Sequence, residues 1–566
     1  MDAARKDEKV ARDMALIARV RAKNDALGDD DFVRSALWLG NQQDQLSLLF
    51  TGNACERSNL IRLPENVVEH VADYVTLDRD DRAAAAAVVE IEQEERRLLA
   101  QEGSHKFPFA STTKTTFLNH GGCSGPCVGA LALKRTVDEM ANRQPMEWHR
   151  AVAPALVARA EDTVASYVGC RDPARLHFVE NVSVGIFAAL KACSLRRLPE
   201  APEYLCVDSR APVVVTTNVR YHSVDDALAD LCERAGATLH TIKLSAKWFE
   251  SAATILTYLP HELDAAAKKG PVRLAFFDHV SSKPSVLFPV KEMVRICHEK
   301  GIPCLVDGAH APGSLPDLDV DDIGADFYAV NFHKWLYAPR PSGALILGSR
   351  PLAPWIDASW FDTGSPSYRI DHLTRGLYDE ATRDYANFIV LPLCVAIARR
   401  REPAFLAHRA KMLPKVLSNA PGLDSLARHW GSPPLVSESM CVSMASVFLP
   451  MDRLLSLVPA DPSGLVPEGP RGGRPLGGIR LKKLKTYVHD YLWNTHAVEV
   501  PCFAFDGRLC IRVSLPEYVG EACLDRLRAG VDALLALADE TRRQQSVRRN
   551  QHYARGRPGN LATSGT

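Results

Sequence analysis

A lysine and an aspartate each lie at the end of a strand-like apolar run, and together they could hold an organic cofactor. Lys334 comes shortly after the run 326–331, and Asp307 directly follows the run 303–306. A lysine amine can bind pyridoxal phosphate as an imine, and a carboxylate can keep the pyridine nitrogen protonated so that the ring accepts electrons. Taken singly, the lysine could be solvated and the aspartate could cap a turn. The pair predicts a pyridoxal phosphate site.

A phosphate group needs backbone N–H groups at the start of a helix. Residues 176–179 form an apolar run, and a short turn then leads to Val182 and Ser183 at the start of a predicted helix that ends near residue 193. Val182 and Ser183 would supply N–H groups, and Ser183 also a hydroxyl. The alternative is an ordinary helix cap made by an Asn or Ser side chain.

The ring and the substrate also need partners. His310 lies three residues after Asp307 and could hydrogen-bond to the ring or stack on it. Tyr221, which follows the run 213–217, could cover one face of the ring, although it could equally be packed in its loop. Arg512 alternates out of an apolar strand, where a guanidinium can bind an α-carboxylate through two hydrogen bonds. Its alternative is a salt bridge to Glu517.

The elements that would position these residues alternate between strand and helix lengths from about residue 117 onward. Uninterrupted apolar strands between helices indicate a mostly parallel sheet with helices on both faces, and ligands of such sheets bind at the carboxyl ends of the strands. The predicted strands are 176–179, 213–217, 274–278, 303–307, 327–331 and 343–347.

Composition narrows the class of protein. The chain has 566 residues, 46% hydrophobic and 24% charged, with 68 basic and 68 acidic side chains. This balance gives no indication of a nucleic-acid or membrane partner. No apolar stretch reaches the roughly 18 residues of a membrane span, and the N-terminus lacks the apolar core of a secretory signal. The 14 cysteines show no zinc-ligand spacing, so we expect no metal and a reducing, cytoplasmic location.

Four regions are predicted along the chain. Residues 1–110 are expected to form a helical N-terminal extension, with a helix at 82–101, and 111–390 a large cofactor-binding domain. Residues 391–540 are expected to form a smaller α+β domain, interrupted at 459–478 by a flexible loop rich in Gly and Pro. The arginine-rich residues 541–566 are expected to be a disordered tail.

Several motifs together resemble the class V aminotransferase family of fold type I pyridoxal phosphate enzymes, and in particular its isopenicillin-N epimerase-like branch. The most specific matches are the run 307–313, which contains Asp307 and His310, and the triplet 333–335 around Lys334. Residues 117–122 and 278–282 are similar to two further motifs of that branch. The resemblance covers about residues 115–540.

The resemblance implies additional site residues and a homodimer with shared active sites. It implies that Ser282 and His333 contribute to cofactor binding, and that Arg512 and Asn119 bind the substrate. It also implies that Thr382 contacts the cofactor phosphate of the partner subunit. Two departures are Ala381, where the family motif has Gly, and the altered continuation of the opening motif at 122–125.

The expected chemistry begins with removal of the Cα proton of an amino acid by Lys334, and it then branches. Loss of a thiol from Cβ would make the protein a C–S lyase similar to cysteine desulfhydrases, which we favour because elimination needs one base and a leaving group. Epimerisation needs a second acid, and transamination needs protonation of the cofactor. Cys502 is an unfavourable desulfurase nucleophile because its surroundings are apolar. A non-catalytic partner-binding protein on the same scaffold is a further alternative.

Overall fold

The computed structural model describes residues 77–101, 106, 114–193, 210–356, 383–433, 435–458 and 477–555. Its strands are β1 Thr116–Phe117, β2 Leu176–Val179, β3 Val213–Thr217, β4 Thr238–Ile242, β5 Val272–Asp278, β6 Cys304–Gly308, β7 Phe327–Asn331, β8 Gly343–Leu347, β9 Met444–Phe448, β10 Val498–Glu499, β11 Cys502–Phe505 and β12 Arg508–Ser514.

The α-helices are α1 Leu77–Ala100, α2 Val128–Arg143, α3 Pro145–Glu147, α4 Ala153–Val168, α5 Val182–Ala192, α6 His222–Ala235, α7 Ala252–Ala267, α8 Val290–Glu299, α9 Val320–Ile323, α10 Ala386–Ile389, α11 Leu391–Leu417, α12 Leu426–His429, α13 Met451–Leu454, α14 Gly477–His496 and α15 Glu521–Arg555. Single turns of 3-10 helix occupy Pro173–Arg175, Ala246–Glu250, Glu438–Met440 and Leu455–Leu457, and Trp148–Val152 is π-helical.

A seven-stranded sheet forms the centre of the large part of the fold, with strand order β2-β8-β7-β6-β5-β3-β4. The neighbours β7, β6, β5, β3 and β4 pair in parallel, and β8 runs antiparallel to both of its neighbours. Every residue of β2, β3, β6 and β7 is buried, which explains their uninterrupted apolar sequences. The predicted mostly parallel sheet of fold type I is therefore confirmed.

Helix α5 packs against the seven-stranded sheet. Its buried Ile186, Ala189 and Leu190 pack in one cluster with sheet residues such as Leu305 and Ala329. Helix α5 begins directly after the short turn that follows β2, so its N-terminus lies at the carboxyl end of that strand. This packing fixes the helix N-terminus beside the strand ends where ligands of such sheets bind.

A smaller antiparallel sheet has the strand order β11-β12-β9, and it carries Arg512 in its central strand. Strand β1 pairs in parallel with β10, so residue Phe117 lies opposite Glu499. The backbone N–H of Leu118 donates to the Glu499 carbonyl at 2.8 Å, and the N–H of Ser514 donates to the Leu118 carbonyl at 2.9 Å. The chain just before Asn119 is thus held from two sides.

The chain divides into two compact units. The smaller unit comprises 1–91, 140–156 and 366–369, of which 77–91 and 140–156 are described. The larger unit contains all twelve strands that the structure describes. Helix α1 confirms the helix expected at 82–101, whereas the rest of the predicted N-terminal extension and most of the loop 459–478 lie outside the described residues. The boundaries of the four predicted regions remain a prediction.

Helix α15 differs from expectation, because it continues through 541–555, where the sequence favoured a disordered tail. Residues 531–555 contain no Gly or Pro that would end the helix. Its side chains also bond locally: Gln544 donates to Glu540 at 2.9 Å, and Thr541 donates to the Leu537 carbonyl at 2.8 Å. In the part of the chain that the structure describes, no helix is long and apolar enough to cross a membrane.

Candidate active site

Lys334 lies in the loop between β7 and β8, at the carboxyl end of β7. Its Nζ is 3.3 Å from Nε2 of His310. Burial lowers the pKa of Lys334 to about 8, although the negative charge of Asp307 acts to raise it. The Lys334 backbone carbonyl accepts a hydrogen bond from Ser124 Oγ at 2.9 Å and lies 3.1 Å from His120 Nε2. The lysine is therefore held by its backbone, and its amine is neutral at mildly alkaline pH.

The ring of His310 has a defined tautomer. The indole Nε1–H of Trp335 points at His310 Nδ1 at 3.4 Å, and an indole nitrogen can only donate. Nδ1 must therefore accept. Burial first, and the charge of Lys334 second, lower the pKa of His310 well below its usual value, so the ring is neutral. Its proton consequently sits on Nε2, the atom that faces the amine of Lys334.

Two carboxylates lie side by side at the carboxyl ends of β5 and β6. Asp278 and Asp307 are paired in register, and both are buried. Asp307 Oδ1 accepts from the N–H of Ala309 at 2.9 Å, whereas Asp278 Oδ2 is buried with no hydrogen-bond partner among the described residues. Burial and the charge of Asp307 raise the pKa of Asp278 well above its usual value, and burial also raises the pKa of Asp307. Two adjacent buried carboxylates favour sharing a proton.

Side chains already accept from two N–H groups at the N-terminus of α5, one of which is the Val182 N–H that was predicted to bind phosphate. The side chain of Asn181 caps the helix by accepting from Val184 N at 3.1 Å, and Asn331 Oδ1 accepts from Val182 N at 2.8 Å. The Ser183 N–H and hydroxyl then remain at the first turn. His333 Nδ1 lies 2.7 Å from the Ser342 carbonyl oxygen, so a ligand of the His333 ring would have to bind at Nε2.

Arg512 is almost completely buried, and two other predicted residues hold it. Its Nη1 donates to Ser282 Oγ at 2.9 Å and to the Ser282 carbonyl at 3.1 Å, while its Nη2 donates to Asn119 Oδ1 at 2.6 Å. Its Nε is buried with no partner among the described residues. Burial lowers the pKa of Arg512 to about 10, so it stays charged at neutral pH. An unpaired buried donor on a cation favours an anionic ligand.

A salt bridge between Arg512 and Glu517, and a nucleophilic role of Cys502, were the alternatives, and the contacts of these residues favour neither. Glu517 accepts hydrogen bonds from Arg401 at 2.5 Å and Tyr337 at 3.0 Å instead of pairing with Arg512. Cys502 is buried in β11, and burial raises the pKa of its thiol to about 12. A thiol protonated at neutral pH is a poor nucleophile, which agrees with the prediction that Cys502 is an unfavourable nucleophile for a desulfurase.

Tyr221 and Thr382 were also predicted to contact the cofactor, and only Tyr221 is among the described residues. The ring of Tyr221 packs on His222 with centroids 4.5 Å apart, and it is close enough to Arg512 to raise the pKa of that guanidinium. Thr382 lies outside the described residues. The described part of the chain contains no group of three or more His, Cys, Asp or Glu side chains that could hold a metal.

Sequence reasoning assigned no role to several residues of this site. Asp278 ends an apolar strand just as Asp307 does, so the same signal could have identified it. Asn331 also ends an apolar strand, β7. The roles of Trp335 and Glu499 depend on partners more than 20 residues away in the chain, so no local signal indicated them.

Comparison with known proteins places this geometry in a family. A model of the class V aminotransferase family matches residues 141–365. Putative L-cysteine desulfhydrase 2 from Oryza sativa subsp. japonica is 31% identical over 376 residues, which is 65% of this chain and 72% of that protein. Isopenicillin N epimerase from Streptomyces clavuligerus is 32% identical over 300 residues, or 49% and 69% of the two chains. The chain belongs to the class V aminotransferase family.

Other matches are shorter or show only the fold. Putative L-cysteine desulfhydrase 1 from the same rice is 32% identical over 314 residues, which is 54% of this chain and 61% of that protein. The solved structure of the cystine C–S lyase C-DES with cysteine persulfide has a TM-score of 0.52 at 19% identity, covering 76% of this chain and 99% of the lyase.

The cofactor is pyridoxal phosphate, as in the rest of the family. The residues present fit it: a buried lysine amine, the paired buried carboxylates Asp307 and Asp278 for the ring nitrogen, and the N–H and hydroxyl of Ser183 in the first turn of α5 for the phosphate. When bound, this cofactor withdraws electrons from a bond at the Cα of an amino acid.

Proposed function

We propose that this protein is a C–S lyase that acts on cysteine or an S-substituted cysteine, similar to a cysteine desulfhydrase. For cysteine, the balanced reaction consumes water and yields pyruvate, ammonia and hydrogen sulfide. The observation that carries the proposal is the contact of 3.3 Å between Lys334 Nζ and Nε2 of neutral His310. Lys334, with a pKa of about 8, would be the one base at this place. Elimination needs one base and a leaving group.

The position of a side chain supports each proposed role. Lys334 Nζ, neutral above about pH 8, accepts the Cα proton. Arg512 binds the α-carboxylate through its unpartnered Nε, which orients the substrate. Asp307, with Asp278 beside it, would stabilise positive charge on the ring nitrogen, and Ser183 would bind the phosphate. His333 would be a further cofactor contact, whereas the Val182 N–H is already taken by Asn331.

The names of the desulfhydrase relatives support this reaction. Epimerisation of an amino acid is the second candidate, because the isopenicillin N epimerase is matched over 69% of its length. We also propose a homodimer and a cytoplasmic location, and Tyr221 and Thr382 as further cofactor contacts.

A substrate panel separates the two reactions. The holoenzyme would be incubated with L-cysteine, S-methyl-L-cysteine and L-alanine, and we would measure pyruvate, released thiol or sulfide, and the D-enantiomer. We expect pyruvate and an equal amount of thiol or sulfide from the two sulfur substrates, and no pyruvate from alanine. D-amino acid without pyruvate would contradict the lyase and establish the epimerase.

A further inference from the structure

The arginine proposed to bind the substrate depends on a chain of three side chains. Arg512 Nη2 donates to Asn119 Oδ1 at 2.6 Å, and Asn119 Nδ2 donates to Glu499 Oε1 at 2.8 Å. A guanidinium can only donate and a carboxylate can only accept. The Asn119 amide therefore has one possible orientation, with its oxygen towards the arginine and its nitrogen towards the glutamate.

The fold places Glu499 next to Asn119 by backbone pairing. Glu499 is in β10, opposite Phe117 of β1, and its carbonyl accepts from the N–H of Leu118. Its carboxylate is also held on the second oxygen, because Oε2 lies 3.2 Å from His489 Nε2. Its side chain is only 19% exposed, so water competes weakly for these contacts.

We propose that Glu499 is a positioning residue for substrate binding, acting through the amide of Asn119 on Arg512. Glu499 does not touch the substrate. It keeps the Asn119 oxygen on Nη2, so that the guanidinium presents its unpartnered Nε to the α-carboxylate. This inference rests on the proposed role of Arg512.

Removal of the acceptor should release the amide. Without Glu499, Asn119 Nδ2 loses its partner, so Arg512 alone orients the amide and the Asn119 oxygen is held less firmly on Nη2. We expect the affinity for ligands with a carboxylate to fall, whereas Lys334 and its bond to the cofactor should be unaffected. Glutamine keeps one acceptor oxygen at the same position and should rescue the function.

The test compares ligands with and without a carboxylate on the holoenzyme. Glycine and methylamine both carry an amine that can react with the cofactor, and neither can lose a thiol. Their dissociation constants would be measured from the change in the visible absorbance band for the wild type, Glu499→Ala and Glu499→Gln. Glu262→Ala is the matched control, since Glu262 is partly exposed and pairs with His240 at the far edge of the sheet.

We expect Glu499→Ala to weaken glycine roughly tenfold, as for loss of one hydrogen bond to a charged group, with methylamine unchanged. Glu499→Gln and the control should stay within about twofold of the wild type. Equal weakening of both ligands, no weakening of glycine, or a Gln variant as weak as the Ala variant would overturn the proposal. If the Ala variant does not fold, Glu499→Met replaces it, because Met has similar length and lacks a strong acceptor.

A further arm separates this inference from the proposed function. Arg512→Lys should weaken glycine more than methylamine if Arg512 binds the carboxylate. If it does not, the role of Arg512 is refuted, and the inference falls with it. If the glycine results are as expected while no sulfur substrate releases a thiol, the lyase reaction is refuted and the role of Glu499 stands.

Discussion

At the scale of single residues, burial favours the neutral forms of the two groups that face each other at the candidate site. Lys334 Nζ and His310 Nε2 lie 3.3 Å apart, a distance at which two positively charged side chains would repel each other. Burial lowers the pKa of both residues, and the Trp335 indole directs the His310 proton towards the lysine. We expect the neutral amine, which is the main form above about pH 8, to act as a nucleophile towards the cofactor and as a base towards the substrate.

This state of Lys334 predicts how cofactor uptake depends on pH. The neutral amine is the reactive form, so the rate at which apoprotein and pyridoxal phosphate form the visible band should rise with pH and reach half its maximum near pH 8. Asp307→Asn should move this midpoint to lower pH, because the negative charge of Asp307 raises the pKa of Lys334. A midpoint near the ordinary lysine value of 10.5 would contradict the burial argument.

At the scale of elements, the loops after β6 and β7 must pack tightly for His310 and Trp335 to meet. Gly313 makes this possible: its φ is +77°, and an added Cβ would lie 2.3 Å from the Trp335 carbonyl oxygen. Gly236, at the end of α6, has a similar φ of +65°, but an added Cβ would have nothing within 4 Å. The two positions separate the cost of backbone strain from the cost of a steric clash.

We expect Gly236→Ala to lower the free energy of unfolding by about 1–2 kcal/mol, the cost of a left-handed conformation with a side chain. Gly313→Ala should cost more than this and should also weaken cofactor binding, because the backbone of Trp335 must move. Urea unfolding of the two variants and titration with pyridoxal phosphate would measure both effects. Equal losses of stability with unchanged cofactor binding would show that the two loops are not tightly coupled.

Elements with a strong local signal could be predicted from the sequence. The strands β2, β3, β7 and β8 have the predicted bounds, because each is a short apolar run buried in the sheet. Strand β4 was missed, since Thr238–Ile242 alternates between buried and partly exposed residues at the sheet edge. Helix α15 continues to residue 555, where a disordered tail was predicted from residue 541, and local side-chain bonds support it there.

The candidate site was predictable to the extent that its residues end strands or match motifs. Asp307 and Lys334 fulfilled both conditions. The orientation of Asn119 was not predictable, because it depends on Glu499, which lies 380 residues away in the chain. The partners of Arg512 also required the packing of two sheets from distant parts of the chain.

At the scale of the whole molecule, the proposed homodimer would share its active sites. If Thr382 contacts the phosphate of the partner subunit, Lys334→Ala and Thr382→Ala damage opposite halves of one site. Mixed dimers of the two variants then contain one intact site, and activity should recover after the subunits are exchanged. Light scattering should give twice the chain mass of 62.2 kDa. A monomer, or no recovery in mixed dimers that have formed, would contradict sharing.

The central claim is that Lys334 binds pyridoxal phosphate covalently in a site that releases sulfur from an amino acid. Borohydride reduction of the holoprotein makes the lysine–cofactor bond permanent, and mass spectrometry of the peptides then locates it. We predict the added cofactor mass on the peptide that contains Lys334, and its absence from Lys334→Ala, with the exposed Lys243→Ala unchanged as the control. Cofactor mass on another lysine, or on none after incubation with pyridoxal phosphate, would contradict the account.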